Sequence, residues 1–305
     1  MCSFNTCNSH RVRNYPEICC EDSDEDEDCI DACRKAPPYC VSRRGCFSTF
    51  GGVEFIFIVI LAAVAFLGAA ALIGYYLNTY GVGFRWRKLS TPESETNEAS
   101  MNMHSFLETL GFITLTGIAI TLFRISNCCD RAGMRVIHLV VIIGAGVLIG
   151  LATYLAYEIK EHEKKKHFFS AHSWMGLLAI ALFLAEVVFG ILKFIVLLAC
   201  GPISCCLRAS CRPIHAAFGI GAFWVAVATA VSGMVRTMMS KAQKMTRYSG
   251  TAILRNRNIT PYIFETDSRD VKNKRVYIAN AYISALILSG ILVTYAVLSR
   301  LWGRR

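Results

Sequence analysis

The sequence predicts an all-α membrane protein: a six-transmembrane-helix bundle that follows a disordered, acidic, Cys-rich N-terminal tail. Two observations lead to this fold class. Hydrophobic residues make up 54% of the 305 residues and charged residues only 18%, with a mean hydropathy of +0.43, which excludes a soluble globular protein. Six apolar runs also reach the roughly 20 residues that a helix needs to cross a bilayer core of about 30 Å.

The six runs are apolar on every side and lack the alternation that marks the strands of a membrane barrel. Helices are therefore the spanning elements, because a helix satisfies its own backbone hydrogen bonds in lipid. We place the spans at 54–78, 104–124, 136–157, 172–199, 213–236 and 277–299. With their connections they form one membrane domain over residues 51–305.

The first fifty residues form a separate segment. It contains the acidic run 21–28 and eight of the fourteen cysteines, but no apolar stretch typical of a signal peptide, so the first span is expected to direct insertion. Segments with a run of like charge and little apolar surface usually do not fold alone. We expect residues 1–50 to be a disordered cytosolic extension.

An even number of spans places both termini on one face of the membrane. All fourteen cysteines then share that face, and reduced thiols are typical of the cytosol. The sequon Asn258-Ile259-Thr260 falls on the opposite face, where glycosylation occurs. Lys and Arg are more numerous on that opposite face, which contradicts the positive-inside rule. We give the cysteines and the sequon more weight and predict cytosolic N- and C-termini.

Four of the seven histidines stand at the starts of four consecutive spans: His104, His138, His172 and His215. Ionisable residues are costly in a membrane and usually have a function there. Because successive helices run in opposite directions, the second and fourth spans begin at one face and the third and fifth at the other. His104 is therefore expected to meet His172, and His138 to meet His215.

Each histidine pair has the ligand type of a haem held from both sides. Imidazole binds iron, and a haem with two histidine ligands has no open position for oxygen and transfers electrons instead. Two alternatives stay open: a metal or proton transporter that uses the same histidines, and a scaffold that recruits partners through its tail. A transporter usually has carboxylates in its spans as well. This chain has few, and no two share an obvious site: Glu54, Glu108, Glu158 and Glu186.

A basic motif occurs twice, before the third and the fifth span. The net charge of +10 does not indicate a nucleic-acid-binding protein, since Lys and Arg flank the apolar runs. Pro213 suits the first turn of a helix, so Arg208 and Arg212 are expected in the preceding loop. Arginine binds anions through its planar fork, which predicts a site for haem propionates or an acidic substrate. The two copies are Arg131-x3-Arg135-x2-His138 and Arg208-x3-Arg212-x2-His215.

On the other face, the segment 167–174 brings aromatic and polar residues into the helix of His172. Four lysines lie just upstream, at Lys160 and 164–166. They are compatible with a docking surface for an acidic acceptor or chelate, although such a charge run is usually a solvated loop.

Together these residues resemble the signatures of the cytochrome b561 family over about residues 51–300. In the second span, His104 is followed by Arg124. The next three spans begin with Arg135-Val136-Ile137-His138, Ser170-Ala171-His172-Ser173-Trp174-Met175-Gly176 and Arg212-Pro213-Ile214-His215-x3-Gly219. The resemblance implies a six-helix protein with two b-type haems, usually a homodimer, in a secretory or endolysosomal vesicle or the plasma membrane. It implies an ascorbate-dependent transmembrane oxidoreductase that passes electrons to monodehydroascorbate or a ferric chelate outside.

Carried over by position, the resemblance also implies the roles of individual residues. His104 and His172 would hold the iron of the outer haem, and His138 and His215 that of the cytosolic haem. The residues implied to contact a haem are Arg124, His167, Phe168, Phe169, Ser170 and Arg236. The residues implied to bind ascorbate are Arg131, Arg135, Arg208 and Arg212.

Three positions depart from the family pattern. The family commonly has Lys where this chain has Arg131 and Arg135, and an arginine does not readily give up a proton. Relatives can have Glu where this chain has Arg236, which we expect to pair with a haem propionate. The connection 237–276 is longer and more basic than usual, so the outer acceptor is expected to differ.

Overall fold

A computed structural model describes residues 51–84, 93–125, 131–199, 204–255 and 262–302. Side chains are described within 57–84, 97–122, 133–195, 213–240 and 271–298. The expectation of a disordered tail over residues 1–50 and the sequon at Asn258 lie outside the described residues.

The described part of the chain is helical apart from short turns. In chain order its elements are α1 (Gly51–Tyr80), α2 (Glu93–Glu108), a π-helix (Thr109–Leu115), α3 (Thr116–Ile125), α4 (Arg131–His162), α5 (Ala171–Ala199), α6 (Ser204–Arg255) and α7 (Tyr262–Trp302). Six stretches are long and apolar enough to cross a membrane: Phe57–Tyr80, Asn97–Leu122, Gly133–His162, Ala171–Ile195, Pro213–Ser240 and Val271–Leu298. The all-α fold class and its six spans are thus confirmed.

The chain divides into two compact units. Of the described residues, the larger unit comprises those within 51–183 and 220–302, and the smaller comprises those within 184–219. The helices α5 and α6 each contribute residues to both units.

The core of the larger unit includes the interface between α1 and α7. The buried side chains of α1 recur every three or four residues, so they form one face of the helix. Many of them are small, which lets two membrane helices approach closely. The buried face of α1 comprises Ala62, Ala65, Phe66, Ala69, Ala70, Ile73, Tyr76 and Leu77, and that of α7 comprises Ala279, Tyr282, Leu286, Ser289, Val293 and Ala296.

The π-helix interrupts the second span and packs against helices that include α7 and α4. The hydroxyl groups of Thr109 and Tyr282 in α7 form a buried hydrogen bond of 2.7 Å. On the other side, a Cβ atom at Gly111 would lie 2.8 Å from Cγ1 of Ile149 and 3.0 Å from the carbonyl oxygen of Ala145, both in α4. Only glycine allows this approach of the second span to α4.

Several helices extend beyond the apolar runs, which corrects three expectations. The helix α6 begins at Ser204, so Arg208 and Arg212 are helical rather than in a loop, and Pro213 lies inside the helix. Proline is tolerated inside a transmembrane helix, where neighbouring groups can satisfy the backbone that it leaves unpaired. The histidines at 104, 138 and 215 consequently lie inside their helices, near the ends of the apolar stretches, whereas His172 is the second residue of α5.

The predicted connection 237–276 is also largely helical. The helix α6 continues to Arg255 and α7 begins at Tyr262. Residues after 236 include Met, Lys, Ala and Gln, which favour helix as strongly as apolar residues do. Hydropathy therefore marks where the membrane ends and not where the helix ends.

Candidate haem-binding site

His104 and His172 lie next to each other in the larger unit. The centroids of their imidazole rings are 6.5 Å apart, and the ring planes are nearly perpendicular, at 86°. His104 comes from α2 and His172 from the second position of α5, so two distant parts of the chain supply the pair.

The spacing of the two rings suits one metal ion between them. Imidazole nitrogens bind metals at about 2 Å, and adding the distance from each nitrogen to its ring centre places the centroids roughly 6 Å apart. The observed 6.5 Å is close to that value. The residues present therefore fit a haem iron held from both sides.

The hydrogen bonds of the two rings support the same assignment. Nδ1 of His104 donates to the carbonyl oxygen of Ala152 at 2.9 Å, and Nδ1 of His172 donates to that of Thr229 at 3.0 Å. A second contact of 3.2 Å joins Nδ1 of His172 to the hydroxyl of Ser232. When Nδ1 carries the proton, Nε2 keeps its lone pair for a metal, and this is the usual arrangement around metal-binding histidines.

Gly233 makes room for the His172 ring. A Cβ atom at this position would lie 2.9 Å from Cε1 and 3.2 Å from Nδ1 of His172, which is closer than a methyl group normally approaches a ring. The glycine stands one residue after Ser232, so the same turn of α6 both leaves space for the ring and accepts its proton.

His138, also in the larger unit, makes the same kind of hydrogen bond to a backbone carbonyl oxygen as His104 and His172 do. Its Nδ1 donates to the carbonyl oxygen of Ala119 in α3 at 2.9 Å. The hydrogen bond orients the ring, and with the proton on Nδ1 the lone pair of the neutral ring is on Nε2. The expected pairing of His138 with His215 stays a prediction.

His215 has a different partner, which lies with it in the smaller unit. Its Nδ1 is 2.5 Å from Oε2 of Glu186 in α5. The ring of Phe189 lies 6.0 Å from the His215 ring, centroid to centroid. A carboxylate thus takes the place that backbone carbonyls take beside the other three histidines.

A second carboxylate lies beside His104. Oε1 of Glu108 is 3.7 Å from Nδ1 of His104 and accepts a hydrogen bond of 3.1 Å from the hydroxyl of Thr153. Sequence reasoning assigned no role to Glu108 or Glu186. Glu108 follows His104 by four residues, a spacing that puts both on one helix face, so this neighbour was detectable. Nothing along the chain marks Glu186 as a partner of His215.

Ser170 connects three groups around the start of the His172 helix. Its hydroxyl accepts from the backbone N–H of Ser173 at 3.3 Å and so caps α5. It also accepts from Nη1 of Arg236 at 2.6 Å. Lys160 donates to the neighbouring hydroxyl of Ser173 at 3.2 Å. Two cations therefore stand beside His172, and the structure shows Arg236 bound to a serine.

The residues just before Ser170 lie at this same end of α5. His167 stacks on Tyr157, with ring centroids 4.8 Å apart, and contacts Glu161 at 3.0 Å. Phe168 packs near Trp174, with 6.0 Å between centroids, while the side chain of Phe169 is 84% exposed. Their predicted contact with a haem stays a prediction.

The arginines proposed to bind anions are only partly described. Arg135 is half-buried in α4, one turn before His138. The other members of the set occupy helical positions whose side chains lie outside the described part: Arg124, Arg131, Arg208 and Arg212. Their roles stay predictions.

Comparison with known proteins finds similarity to one family over part of the chain. The sequence model of eukaryotic cytochrome b561 matches residues 103–241, which include all four histidines. A plasma membrane ascorbate-dependent reductase of Mus musculus is 32% identical over 139 residues, 45% of this chain and 47% of that protein. A transmembrane ascorbate-dependent reductase of Ovis aries is 29% identical over 178 residues, 57% of this chain and 64% of that protein.

A third relative aligns over more of the chain. A lysosomal membrane ascorbate-dependent ferrireductase of Bos taurus is 24% identical over 236 residues, 75% of this chain and 76% of that protein. The match to the mouse relative, in contrast, spans about half of that protein's length. The chain thus has six apolar helices in its described part and, over residues 103–241, a segment that is similar to the cytochrome b561 family.

Proposed function

We propose that this protein is an ascorbate-dependent transmembrane oxidoreductase. It takes electrons singly from cytosolic ascorbate and delivers them to monodehydroascorbate or a ferric chelate on the lumenal or outer side. The observation that carries the proposal is the pair His104 and His172, whose rings are spaced for one metal and whose Nδ1 atoms face carbonyl oxygens. The names of the relatives, which are ascorbate-dependent reductases, support the donor.

The histidines hold the cofactor in this proposal. His104 and His172 bind the outer of two b-type haems, and His138 and His215 bind the cytosolic one. Each haem, when bound, supplies an iron that carries one electron at a time. Carbonyl oxygens of Ala152, Ala119 and Thr229 keep three of the rings in the tautomer that binds iron.

Arginine side chains bind the anionic donor. Ascorbate is negatively charged, and the guanidinium groups of Arg131, Arg135, Arg208 and Arg212 are permanently cationic donors suited to its oxygens. Ascorbate loses one electron for each electron that the acceptor gains, whether ferric iron becomes ferrous or monodehydroascorbate becomes ascorbate. The proposal also includes homodimer formation and residence in a secretory or endolysosomal vesicle or the plasma membrane, with cytosolic termini.

Lys160 and Arg236 provide positive charge near His172, on the side where the acceptor is proposed to bind, and this charge favours an anionic acceptor. Lys160 and Arg236 both reach the serine pair Ser170 and Ser173 beside His172. Both monodehydroascorbate and ferric chelates of organic acids carry negative charge, so this end attracts either one. The same cations lie close to the histidine pair from which the electron leaves.

A metal or proton transporter is the second candidate. The specific observation in its favour is the carboxylate of Glu108, 3.7 Å from His104, because paired carboxylates and histidines relay protons in transporters. A transporter predicts ion uptake into vesicles by protein that has no haem absorbance.

Haem content separates the two candidates. We expect purified full-length protein to contain two haems per chain with a six-coordinate b-type spectrum that ascorbate reduces. Changing His172→Ala should remove one haem and leave the other, because His138 and His215 are untouched. His162→Ala, an exposed histidine in α4, is the matched control and should keep both. Folded protein without haem, or His172→Ala protein with two haems, would contradict the proposal.

A further inference from the structure

Glu186 and His215 form a close contact between α5 and α6 in the smaller unit. Oε2 of Glu186 and Nδ1 of His215 are 2.5 Å apart. Both atoms are buried, and neither has a regular hydrogen bond to any other group in the described part of the chain. The contact is therefore described as a close approach of a carboxylate oxygen to an imidazole nitrogen, which is an ion pair when the ring is protonated. The carboxylate is the nearest acceptor for the imidazole N–H.

A glycine of each helix lies next to this contact. Gly190 follows Glu186 by four residues, and Gly219 follows His215 by four residues. A Cβ atom at Gly190 would lie 3.6 Å from Cε1 of His215, and one at Gly219 would lie 3.8 Å from Oε2 of Glu186. Each partner therefore meets a glycine on the opposite helix. At these distances a Cβ atom would make ordinary van der Waals contact, so the backbones of both helices lie close to the two partners.

His215 differs from the other three histidines in the group nearest to Nδ1. Glu108 also lies beside His104, but at 3.7 Å from Nδ1 it is farther away than the carbonyl oxygen of Ala152. His104, His138 and His172 direct Nδ1 at neutral backbone carbonyl oxygens at 2.9 to 3.0 Å. His215 directs Nδ1 at a side-chain carboxylate. An anionic acceptor draws the imidazole proton more strongly than a neutral carbonyl does, which leaves more electron density on Nε2.

We propose that Glu186 is a positioning residue that lowers the reduction potential of the haem bound by His138 and His215 below that of the haem bound by His104 and His172. The proposal rests on the proposed function. A more basic axial ligand stabilises ferric over ferrous iron, and second-shell hydrogen bonding is one of the means by which proteins set this potential.

The proposed difference between the two reduction potentials favours electron transfer in one direction. The electron that ascorbate gives up arrives first at the cytosolic end, where the potential is lower, and then moves to the outer end, where it is higher. One site is oxidised as the other is reduced, and no bond forms or breaks. Transfer toward the outer acceptor is then favourable within the protein itself.

A potentiometric titration of purified haem-containing protein tests this proposal. The His172→Ala variant is the background, since it retains only the haem of interest, and its b-type absorbance is followed as the potential is changed. Glu186→Gln replaces the carboxylate by a neutral acceptor of equal size. Glu158→Gln, the same change at a half-buried position in α4, is the matched control.

We expect Glu186→Gln to shift the midpoint potential of the remaining haem to a more positive value and to change its electron paramagnetic resonance g-values. Glu158→Gln should change neither. In the full two-haem protein only one of the two midpoint potentials should shift. Glu186→Asp, whose shorter carboxylate withdraws from Nδ1, should give a smaller positive shift and is the second test if Glu186→Gln does not fold.

Unchanged midpoint potentials in folded, haem-containing Glu186→Gln protein would overturn the role of Glu186 and leave the proposed function standing. Equal shifts in Glu186→Gln and Glu158→Gln would also overturn it, since the effect would then be that of any lost charge. Parent protein without haem would overturn the proposed function, and this inference with it.

Discussion

At the scale of single residues, the four histidines could be found from the sequence because their positions follow a rule. They recur near the ends of consecutive apolar runs, and antiparallel helices bring alternate ones to the same face. Their orientation could not be found in this way. Which ring nitrogen faces a carbonyl depends on the rotation of the neighbouring helix, as at Ala152 beside His104 and Thr229 beside His172.

Gly233 provides a residue-scale prediction. In Gly233→Ala the new methyl group would lie 2.9 Å from Cε1 of His172, a ring that hydrogen bonds to Thr229 and Ser232 already hold in place. The ring must move, so we expect haem affinity at this site to fall by about 10- to 100-fold, as when second-shell partners of metal ligands are changed. The measurement is haem retained per chain during transfer to an excess of a haem acceptor protein.

Gly150→Ala is the control for this change. It adds the same methyl group to a transmembrane helix, at a position with nothing within 4 Å. Both haems should be retained. Equal haem retention in Gly233→Ala and Gly150→Ala would show that the glycine does not serve the His172 ring.

At the scale of secondary structure, the apolar runs predicted the six spans well and the helix ends poorly. The helix α6 extends from Ser204 to Arg255, well beyond the predicted span 213–236. Hydropathy reports burial in lipid, whereas a polar helix needs only backbone hydrogen bonds and suitable residues to continue into water. The π-helix at Thr109–Leu115 was not predicted, because no apolar pattern along the chain distinguishes it from the α-helix on either side.

The hydrogen bond between the π-helix and α7 provides an element-scale prediction. The hydroxyl of Thr109 donates to the carbonyl oxygen of Ser105, so the Tyr282 hydroxyl donates to Thr109. Tyr282→Phe leaves Thr109 with its own acceptor and should cost about 0.6 kcal/mol, a typical value for hydrogen bonds between membrane helices. Thr109→Val leaves a fully buried tyrosine hydroxyl without an acceptor and should cost about 1–3 kcal/mol.

Thermal unfolding in detergent measures this difference. The double variant Thr109→Val/Tyr282→Phe removes both partners and should be more stable than Thr109→Val alone, since no buried donor is then left unpaired. If Tyr282→Phe proved the more damaging single change, the assigned direction of the hydrogen bond would be wrong.

At the scale of the whole molecule, the six spans found in the described residues predict that both termini and all fourteen cysteines lie on one face. The cysteines indicate that this face is cytosolic, and the distribution of Lys and Arg indicates the opposite. Extension of α6 and α7 beyond the apolar stretches gives part of the basic segment 237–276 a helical structure. Sequence rules calibrated on short loops apply poorly to charges on such helices.

Labelling provides a whole-molecule prediction. In sealed vesicles with the outer face exposed, a membrane-impermeant maleimide should not label the cysteines, and opening the vesicles with detergent should allow labelling. Glycosidase added outside such vesicles should shorten any glycan at Asn258. Cysteine labelling of intact vesicles would place the termini on the outer face and would reverse the proposed direction of electron transfer.

The sequence by itself determined the six spans, the positions of the four histidines near their ends and, through its motifs, the resemblance to a family. These are properties of residue order and local hydropathy, which can be read along the chain. Only the tertiary structure decided that the His104 and His172 rings are 6.5 Å apart, that Gly233 makes room for one of them, and that Glu186 rather than a backbone carbonyl contacts His215. The physical reason is that such contacts depend on the rotation and separation of helices that are distant in sequence, and no local pattern encodes either quantity.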